Sequence, residues 1–360
     1  MTVANLDERL RGAAEALARY RFELWKYGDS IGFEGLLAAS DLLGDSRWEG
    51  WAHGALKGWA GRTQRAFREM DNTAPGHALC LAYERTHDDA LVEAAVELVD
   101  FLRSRGTLDG VFISWEHTPL RPPHGGKALG APEAALLHEA GPGIFVDCLH
   151  FDPPFLCHLG RLVDDRALVD IAAEQALGYV RLLQDKSGIF WHFFLERTQD
   201  RYGYGWGRGQ GWALLGLLDL LDYLPDGHPA MRELRESALA LARALAQLQR
   251  DDGGWSAVVQ DSASGDESST AAFAAAGFAQ GIASGLLGDE FIGPARRAWE
   301  HTLEQVDERG VLTDVSAAVW PCTDQSHYSH APTGFVVPWG QGPLLVAARR
   351  MRDLPLASDR

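Results

Sequence analysis

Polar and apolar positions in this chain repeat with a helical period almost from end to end, and runs that alternate residue by residue are scarce. Leu36, Leu37, Leu42 and Leu43 mark a short helix that stops at Gly44-Asp45, and a second helix follows through Trp48 and Trp51. His77–Tyr83 opens another pair, broken at His87-Asp88-Asp89 and resumed by Leu91–Leu102. The same alternation gives Phe155–Leu162 then Ala167–Leu183, Trp212–Leu224 then Met231–Leu248, and Ala271–Leu287 then Gly293–Val306. Each break supplies a glycine suited to close a helix or an aspartate suited to cap the next one.

A second recurrence organises the first. After the second helix of several pairs comes a short acidic-glycine turn followed by an apolar residue: Leu108-Asp109-Gly110-Val111, Lys186-Ser187-Gly188-Ile189, Asp251-Asp252-Gly253-Gly254-Trp255 and Glu308-Arg309-Gly310-Val311. The turns recur about every sixty residues, the length of one helical hairpin with its loops. With a hairpin starting near Trp25 and a last helix at Leu344–Met351, the tally approaches six. The predicted fold is therefore all-α: one domain over residues 1–360, an (α/α)6 toroid whose inner helices present their loops at a common mouth. An open solenoid would need polar capping repeats, and the terminal helix Pro343–Met351 is apolar instead. Two stretches leave the rhythm, residues 115–143 and 313–342, both rich in Gly, Pro, His or Trp, and both expected to be functional loops.

Bulk properties then narrow the partners. The net charge of −17, with no run of Lys or Arg, disfavours nucleic acid and anionic membranes. No segment approaches eighteen uninterrupted apolar residues, so no membrane span is expected. The start of the chain, MTVANLDERLRGAAEALARY, is acidic without an apolar centre and does not read as a signal peptide; the expected location is cytoplasmic. Four scattered cysteines read as reduced, partly buried thiols. Twelve tryptophans gather in glycine-rich segments, where an indole face can line a sugar pocket or plug a helix junction.

Three segments at the starts of inner helices carry chemistry. Met70-Asp71-Asn72-Thr73-Ala74-Pro75-Gly76-His77 holds Asp71, which also fits an Asx turn. In Phe145-Val146-Asp147-Cys148-Leu149-His150-Phe151-Asp152-Pro153-Pro154-Phe155-Leu156, Asp147 is set among apolar residues, which disfavour a bare carboxylate and suit a general acid. Asp152 fits a plain N-cap before Pro153. In Trp206-Gly207-Arg208-Gly209-Gln210-Gly211-Trp212, three glycines would let a ligand approach the backbone, and two indoles flank a guanidinium suited to a carboxylate.

These segments resemble those of the unsaturated glycuronyl hydrolases, in particular the unsaturated rhamnogalacturonyl hydrolases of glycoside hydrolase families 105 and 88. The family's D-x-L-x-x-x-x-P-F-L is matched by Asp147, Leu149, Pro154, Phe155 and Leu156, and its W-x-R-x-x-G-W by Trp206, Arg208, Gly211 and Trp212. Asp71, Pro75 and Gly76 match the earlier D-x-x-x-P-G, SGIFWH is similar to the turn ending in a histidine (here His192), and Gly334–Gly342 resembles the closing glycine-rich segment. The resemblance covers roughly residues 20–350. It implies release of a 4,5-unsaturated uronic acid from the non-reducing end of lyase-generated oligosaccharides, by hydration of the C4=C5 bond, without metal or organic cofactor. Asp147 would protonate C4, and Asp71 would hold ring hydroxyls and share the proton work. His192 and Arg208 would orient the substrate, Trp206 or Trp212 would stack on it, and His117 or His124 would supply a further contact. Cys148 and His150 stand where the family often has a small residue and an aromatic one. Rival readings on the same toroid are a sugar epimerase of the N-acylglucosamine 2-epimerase type, which thirteen histidines could serve, and a non-catalytic sugar binder. A zinc centre built on Cys157-His158 is disfavoured because the pair lies mid-helix.

Overall fold

The breaks between the expected helices are built by the residues that cap chemistry requires. Gly44 closes its helix at φ 61°, its N–H bonded to the Ser40 carbonyl, and Asp165 opens the next one by accepting from the N–H groups of Ala167 and Leu168. A computed structural model describes residues 3–24, 26, 28–62 and 75–354. In chain order its helices are α1 (Val3–Ala18), α2 (Asp29–Leu43), α3 (Arg47–Ala60), α4 (Gly76–Thr86), α5 (Asp89–Ser104), α6 (Ala131–Leu136), α7 (Cys148–Phe151), α8 (Pro153–Leu162), α9 (Arg166–Leu183), α10 (Gly207–Tyr223), α11 (Met231–Leu248), α12 (Ser268–Ala283), α13 (Ile292–Glu304) and α14 (Pro338–Arg352). No described helix is long and apolar enough to cross a membrane.

Burial sorts these helices into two rings. In α10 every residue from Gly207 to Leu220 is buried, and so is every residue of α12 from Ser268 to Gly281 and of α14 from Pro338 to Ala348. A helix covered all round must lie inside. By contrast α11 buries only the stripe Leu234, Ser237, Ala238, Leu241, Ala242, Ala244 and Leu245, the signature of an outer helix. The inner helices pack in the cyclic order α2, α4, α8, α10, α12, α14, and α14 packs back on α2 and on α1. The chain is thus an all-α toroid of hairpins, closed by its first and last helices.

The acidic-glycine turns lock the outer ring. Asp307 accepts from the N–H groups of Arg309 and Val311, which folds the turn, and Gly310 takes φ 83°. A Cβ on Gly310 would sit 2.0 Å from the Arg9 carbonyl oxygen of α1, and one on Gly188 (φ 91°) 2.5 Å from that of Ala240 in α11. Each glycine therefore serves twice, by adopting a left-handed backbone and by letting the turn touch the neighbouring outer helix.

The helical pattern missed a set of short strands: β1 (Thr107–Leu108), β2 (Val111–Phe112), β3 (Gly143–Phe145), β4 (Phe193–Leu195), β5 (Asp200–Tyr202), β6 (Ser256–Val258) and β7 (Asp261–Asp266). Most are only two or three residues long, too short for alternation to register in sequence. They form antiparallel pairs β1-β2 and β6-β7 and a three-stranded sheet β3-β4-β5 at the mouth. A small apolar cluster of Leu120, Ala140, Phe145, Phe193 and Leu195 seats the 115–143 loop on that sheet. All four cysteines are buried and none forms a disulfide, and Cys157-His158 lies mid-helix in α8, its imidazole stacked on Tyr223 at 4.1 Å.

Candidate active site

The short sheet is what brings two distant candidates together. Phe145 pairs with Phe193 across β3 and β4, so the residues just beyond each strand end fall side by side. The Val146 N–H donates to the His192 carbonyl (2.8 Å), and the His192 N–H donates to the Tyr202 carbonyl (3.0 Å). Asp147 then turns the chain into α7 as its N-cap residue, but its side chain makes no cap hydrogen bond. Its carboxyl group is 1 % exposed and neither oxygen has a hydrogen-bond partner among the described residues. His192 Nε2 faces Asp147 Oδ2 at 3.6 Å. A buried carboxyl group left without hydrogen bonds is costly to a fold and therefore informative.

Behind His192 stands Tyr328, on the 3-10 turn Gln325–His330 of the second long loop, with its hydroxyl 2.7 Å from His192 Nδ1. Gly203, at φ 70°, makes room: a Cβ there would lie 2.2 Å from the Tyr328 hydroxyl oxygen. Burial holds the Tyr328 hydroxyl well above the usual phenol range, so it keeps its proton. Burial also holds His192 below the ordinary imidazole range, with Arg208 adding to the effect against the opposing pull of Asp147. The neutral ring best fits its surroundings with Nδ1 accepting from Tyr328 O–H and Nε2–H turned to Asp147. The Trp206 indole packs on His192 with ring centres 4.3 Å apart, which completes a Tyr328–His192–Asp147 row walled by an indole.

Arg208 is placed differently from the sequence expectation. It lies in the first turn of α10 with no exposed surface, and Nη1 donates to Glu267 (3.3 Å) and to the Ser316 hydroxyl (2.7 Å), while Nη2 donates to the Ala317 carbonyl (2.9 Å). Its guanidinium sits 5.0 Å from the Trp206 ring centre and 5.7 Å from that of Trp339. Glu267 is held in turn by the hydroxyls of Ser269 and Thr270 and by the Ser316 N–H. The fork thus binds the protein's own carboxylate and ties α10, α12 and the 313–342 loop behind Trp206. The glycines of this segment likewise meet protein rather than open space: a Cβ on Gly211 would lie 2.5 Å from Phe273 of α12, and one on Gly209 2.8 Å from Trp206. They permit close packing around the segment, where the sequence had led us to expect ligand approach.

The remaining candidates scatter. Trp212 is fully buried between His150, Phe151 and Phe273, at 5.1, 5.1 and 4.6 Å between ring centres, so its faces are taken by the core. His117 lies exposed on the 115–143 loop. His124, half-buried, stacks on His327 at 4.3 Å, and so reaches the site only through the neighbour of Tyr328. Asp71 lies outside the described residues. Asp152 occupies an N-cap position, without a side-chain cap bond. Sequence reasoning passed over Tyr328 as a site residue and Glu267 altogether. Glu267, like Asp147, occupies the N-cap position of a helix, and that shared position was the available signal.

A cavity of about 250 Å³ adjoins this group, lined by Trp206, Ser264, Glu267, Ser316, Tyr328 and Thr333 among others. Two larger clefts, about 460 and 380 Å³, lie around Pro225 and Asp226, at the opposite ends of α8 and α10 from Asp147 and Arg208. The smaller cavity is the one that meets the Asp147 row, through Trp206 and Tyr328.

With this geometry in hand, the relatives can be weighed. The unsaturated rhamnogalacturonyl hydrolase YesR of Bacillus subtilis (strain 168) is 23% identical over 346 residues, covering 93% of each chain. Among solved structures, a possible member of the GH105 family from Klebsiella pneumoniae subsp. pneumoniae MGH 78578 superposes with a TM-score of 0.78 at 20% identity, over 98% of this chain and 93% of that one. The unsaturated glucuronyl hydrolase of Bacillus sp. GL1 gives 0.70 at 20% identity, over 97% and 96%. These structural likenesses carry the toroid fold. The profile of Glycosyl Hydrolase Family 88 matches residues 13–354, a span that holds the sheet, Asp147, His192, Trp206, Arg208 and Tyr328, and the chain belongs to that family of glycoside hydrolases.

Proposed function

We propose that this protein releases a 4,5-unsaturated uronic acid from the non-reducing end of an oligosaccharide, with Asp147 as its general acid. One observation carries the reading: a fully buried carboxyl group, free of hydrogen bonds from the described residues, facing a histidine fixed by a tyrosine. Such a group is held ready for a proton transfer to something other than the protein. The names of the relatives, unsaturated rhamnogalacturonyl and glucuronyl hydrolases, supply the substrate class.

An ordinary glycosidase needs two working carboxyl groups flanking the scissile bond. Of the buried carboxylates near the described mouth, Glu267 is committed to Arg208 and to Ser269, Thr270 and Ser316, and Asp152 sits at the N-cap position of α8. A single acid suits hydration of an enol ether better. Asp147 gives its proton to C4, and the ring oxygen stabilises the cation that forms at C5. Water adds at C5 and returns a proton to the Asp147 carboxylate. The hemiketal opens to a C5 ketone, and C1 expels the aglycone as an alcohol, so one water is consumed per bond cleaved. His192 Nε2–H steadies the carboxylate between the two proton transfers, and Trp206 walls off solvent. Asp71 is assigned the partner role of holding ring hydroxyls.

The test is to incubate the protein with lyase-generated unsaturated oligosaccharides of galacturonyl and glucuronyl type and follow the ultraviolet band of the conjugated alkene. Loss of the band with release of one reducing sugar per alkene is the expected result. An unchanged band together with an altered sugar configuration would assign the protein to epimerisation instead.

A further inference from the structure

The inner face of the ring holds a second buried polar cluster that this chemistry leaves unused. Glu34 of α2, His150 of α7 and Asp219 of α10 each turn one potential ligand atom to a common point, and the three atoms lie within 4.8 Å of one another. His150 has no exposed surface, and Glu34 and Asp219 are buried with it. His150 Nε2 stands 3.7 Å from Glu34 Oε2 and 3.7 Å from Asp219 Oδ2. That separation is too long for a hydrogen bond, and among the described residues neither His150 ring nitrogen nor Asp219 Oδ2 has a hydrogen-bond partner. Two ligands of one ion with bonds of about 2.0–2.2 Å stand roughly 3.4 Å apart in tetrahedral geometry, close to the two separations from His150.

The rest of the arrangement is what a metal site requires. The second oxygen of each carboxylate is already held: the Ser30 hydroxyl donates to Glu34 Oε1 (3.1 Å), while Gln280 (2.8 Å) and Arg350 (3.1 Å) donate to Asp219 Oδ1. Such outer bonds orient ligands and leave one oxygen of each free for the ion. The packing of Trp212 and Phe151 on the imidazole fixes its plane. A cavity of about 200 Å³ lined by Glu34, His77, Asp219 and Arg350 reaches Asp41 and Arg85 at the far ends of α2 and α4, which gives an ion a route in. The missing ligand spacing within any one helix explains why the sequence offered no sign of the site: its members come from three hairpins.

We propose that Glu34, His150 and Asp219 bind one divalent transition-metal ion, with Zn2+ as the probe that fits an imidazole and two carboxylates, and that the ion ties α2, α7 and α10 together across the ring. Its role is structural, because the proposed proton chemistry runs through Asp147.

The experiment strips the full-length protein with a chelator, removes the chelator, and titrates Zn2+ by calorimetry and Co2+ by visible absorption. Wild type is compared with Glu34→Gln and His150→Phe. We expect one Zn2+ per chain with micromolar or tighter affinity and a Co2+ ligand-field band. At a hundredfold excess over Kd the melting temperature should rise by about 3 °C. Binding should weaken at least tenfold in Glu34→Gln and vanish in His150→Phe. If His150→Phe does not fold, Glu34→Gln, which preserves shape, decides alone. No saturable binding to stripped wild type, or undiminished binding to the folded variants, overturns the proposal.

Discussion

Tyr328→Phe isolates the part of the site that sequence motifs did not supply. The substitution keeps the ring that packs near His192 and Trp206 and removes only the hydroxyl 2.7 Å from His192 Nδ1. The variant loses one neutral hydrogen bond and leaves Nδ1 buried without a partner, together worth about 1–3 kcal/mol. If that energy orients His192 against Asp147, kcat falls by roughly 5- to 150-fold with little change in KM. A second readout separates this role from general loosening. The hydroxyl proton occupies the Nδ1 lone pair and so favours the neutral ring. Burial, the main cause of the depressed His192 pKa, is unchanged, but losing a donor that only the neutral ring can accept shifts the ring toward protonation. A charged His192 no longer serves the proton transfer at Asp147, so the acid-side limb of kcat/KM should move to higher pH. The assay is alkene absorbance against pH for both proteins, with melting temperatures measured in parallel. Turnover within twofold of wild type, or a loss of turnover with an unmoved pH profile, would refute the reasoning.

Asp147→Asn should lower turnover by about a thousandfold or more, within reach of what a general acid contributes, while the melting temperature barely changes, because no hydrogen bond from the described residues ends on that carboxyl group. Near-normal turnover by the folded variant would remove Asp147 from the mechanism. Arg208→Met strands the buried Glu267 carboxylate and should cost about 3–5 kcal/mol in chemical denaturation, with Arg208→Lys costing less; a variant as stable as wild type would return Arg208 to the role of a substrate contact. Stability should decline as pH falls below about 6.5, because burial keeps His327 unprotonated down to about 4 and His158 down to about 2, while the unfolded chain takes up those protons. Each group contributes up to roughly 1.4 kcal/mol per pH unit in that window. His77, where Glu34 outweighs burial and raises the pKa, offsets part of it. A denaturation midpoint that rises between pH 7 and pH 5 would contradict this sign.

The sequence by itself determined the toroid. Helix periodicity and cap residues are local, and the signals at Gly44, Asp165 and Gly310 act within a few residues of where they are written. The family segments around Asp147 and Trp206 were equally local, which is why both were found at the starts of inner helices. Only the tertiary structure decided what each side chain meets. Trp212 and Trp206 look alike within one heptapeptide, yet a helical turn and a half places Trp212 in the core and leaves Trp206 on His192. Arg208 reads as a ligand clamp until Glu267, 59 residues later, takes its guanidinium. Tyr328 meets His192 across 136 residues, through two loops and strands too short to leave a periodic trace. The Glu34–His150–Asp219 cluster is written on three separate hairpins. Backbone preference is set by neighbours in sequence and can be read there. The partners of a buried polar group are set by ring closure, which brings inner helices together regardless of their distance along the chain.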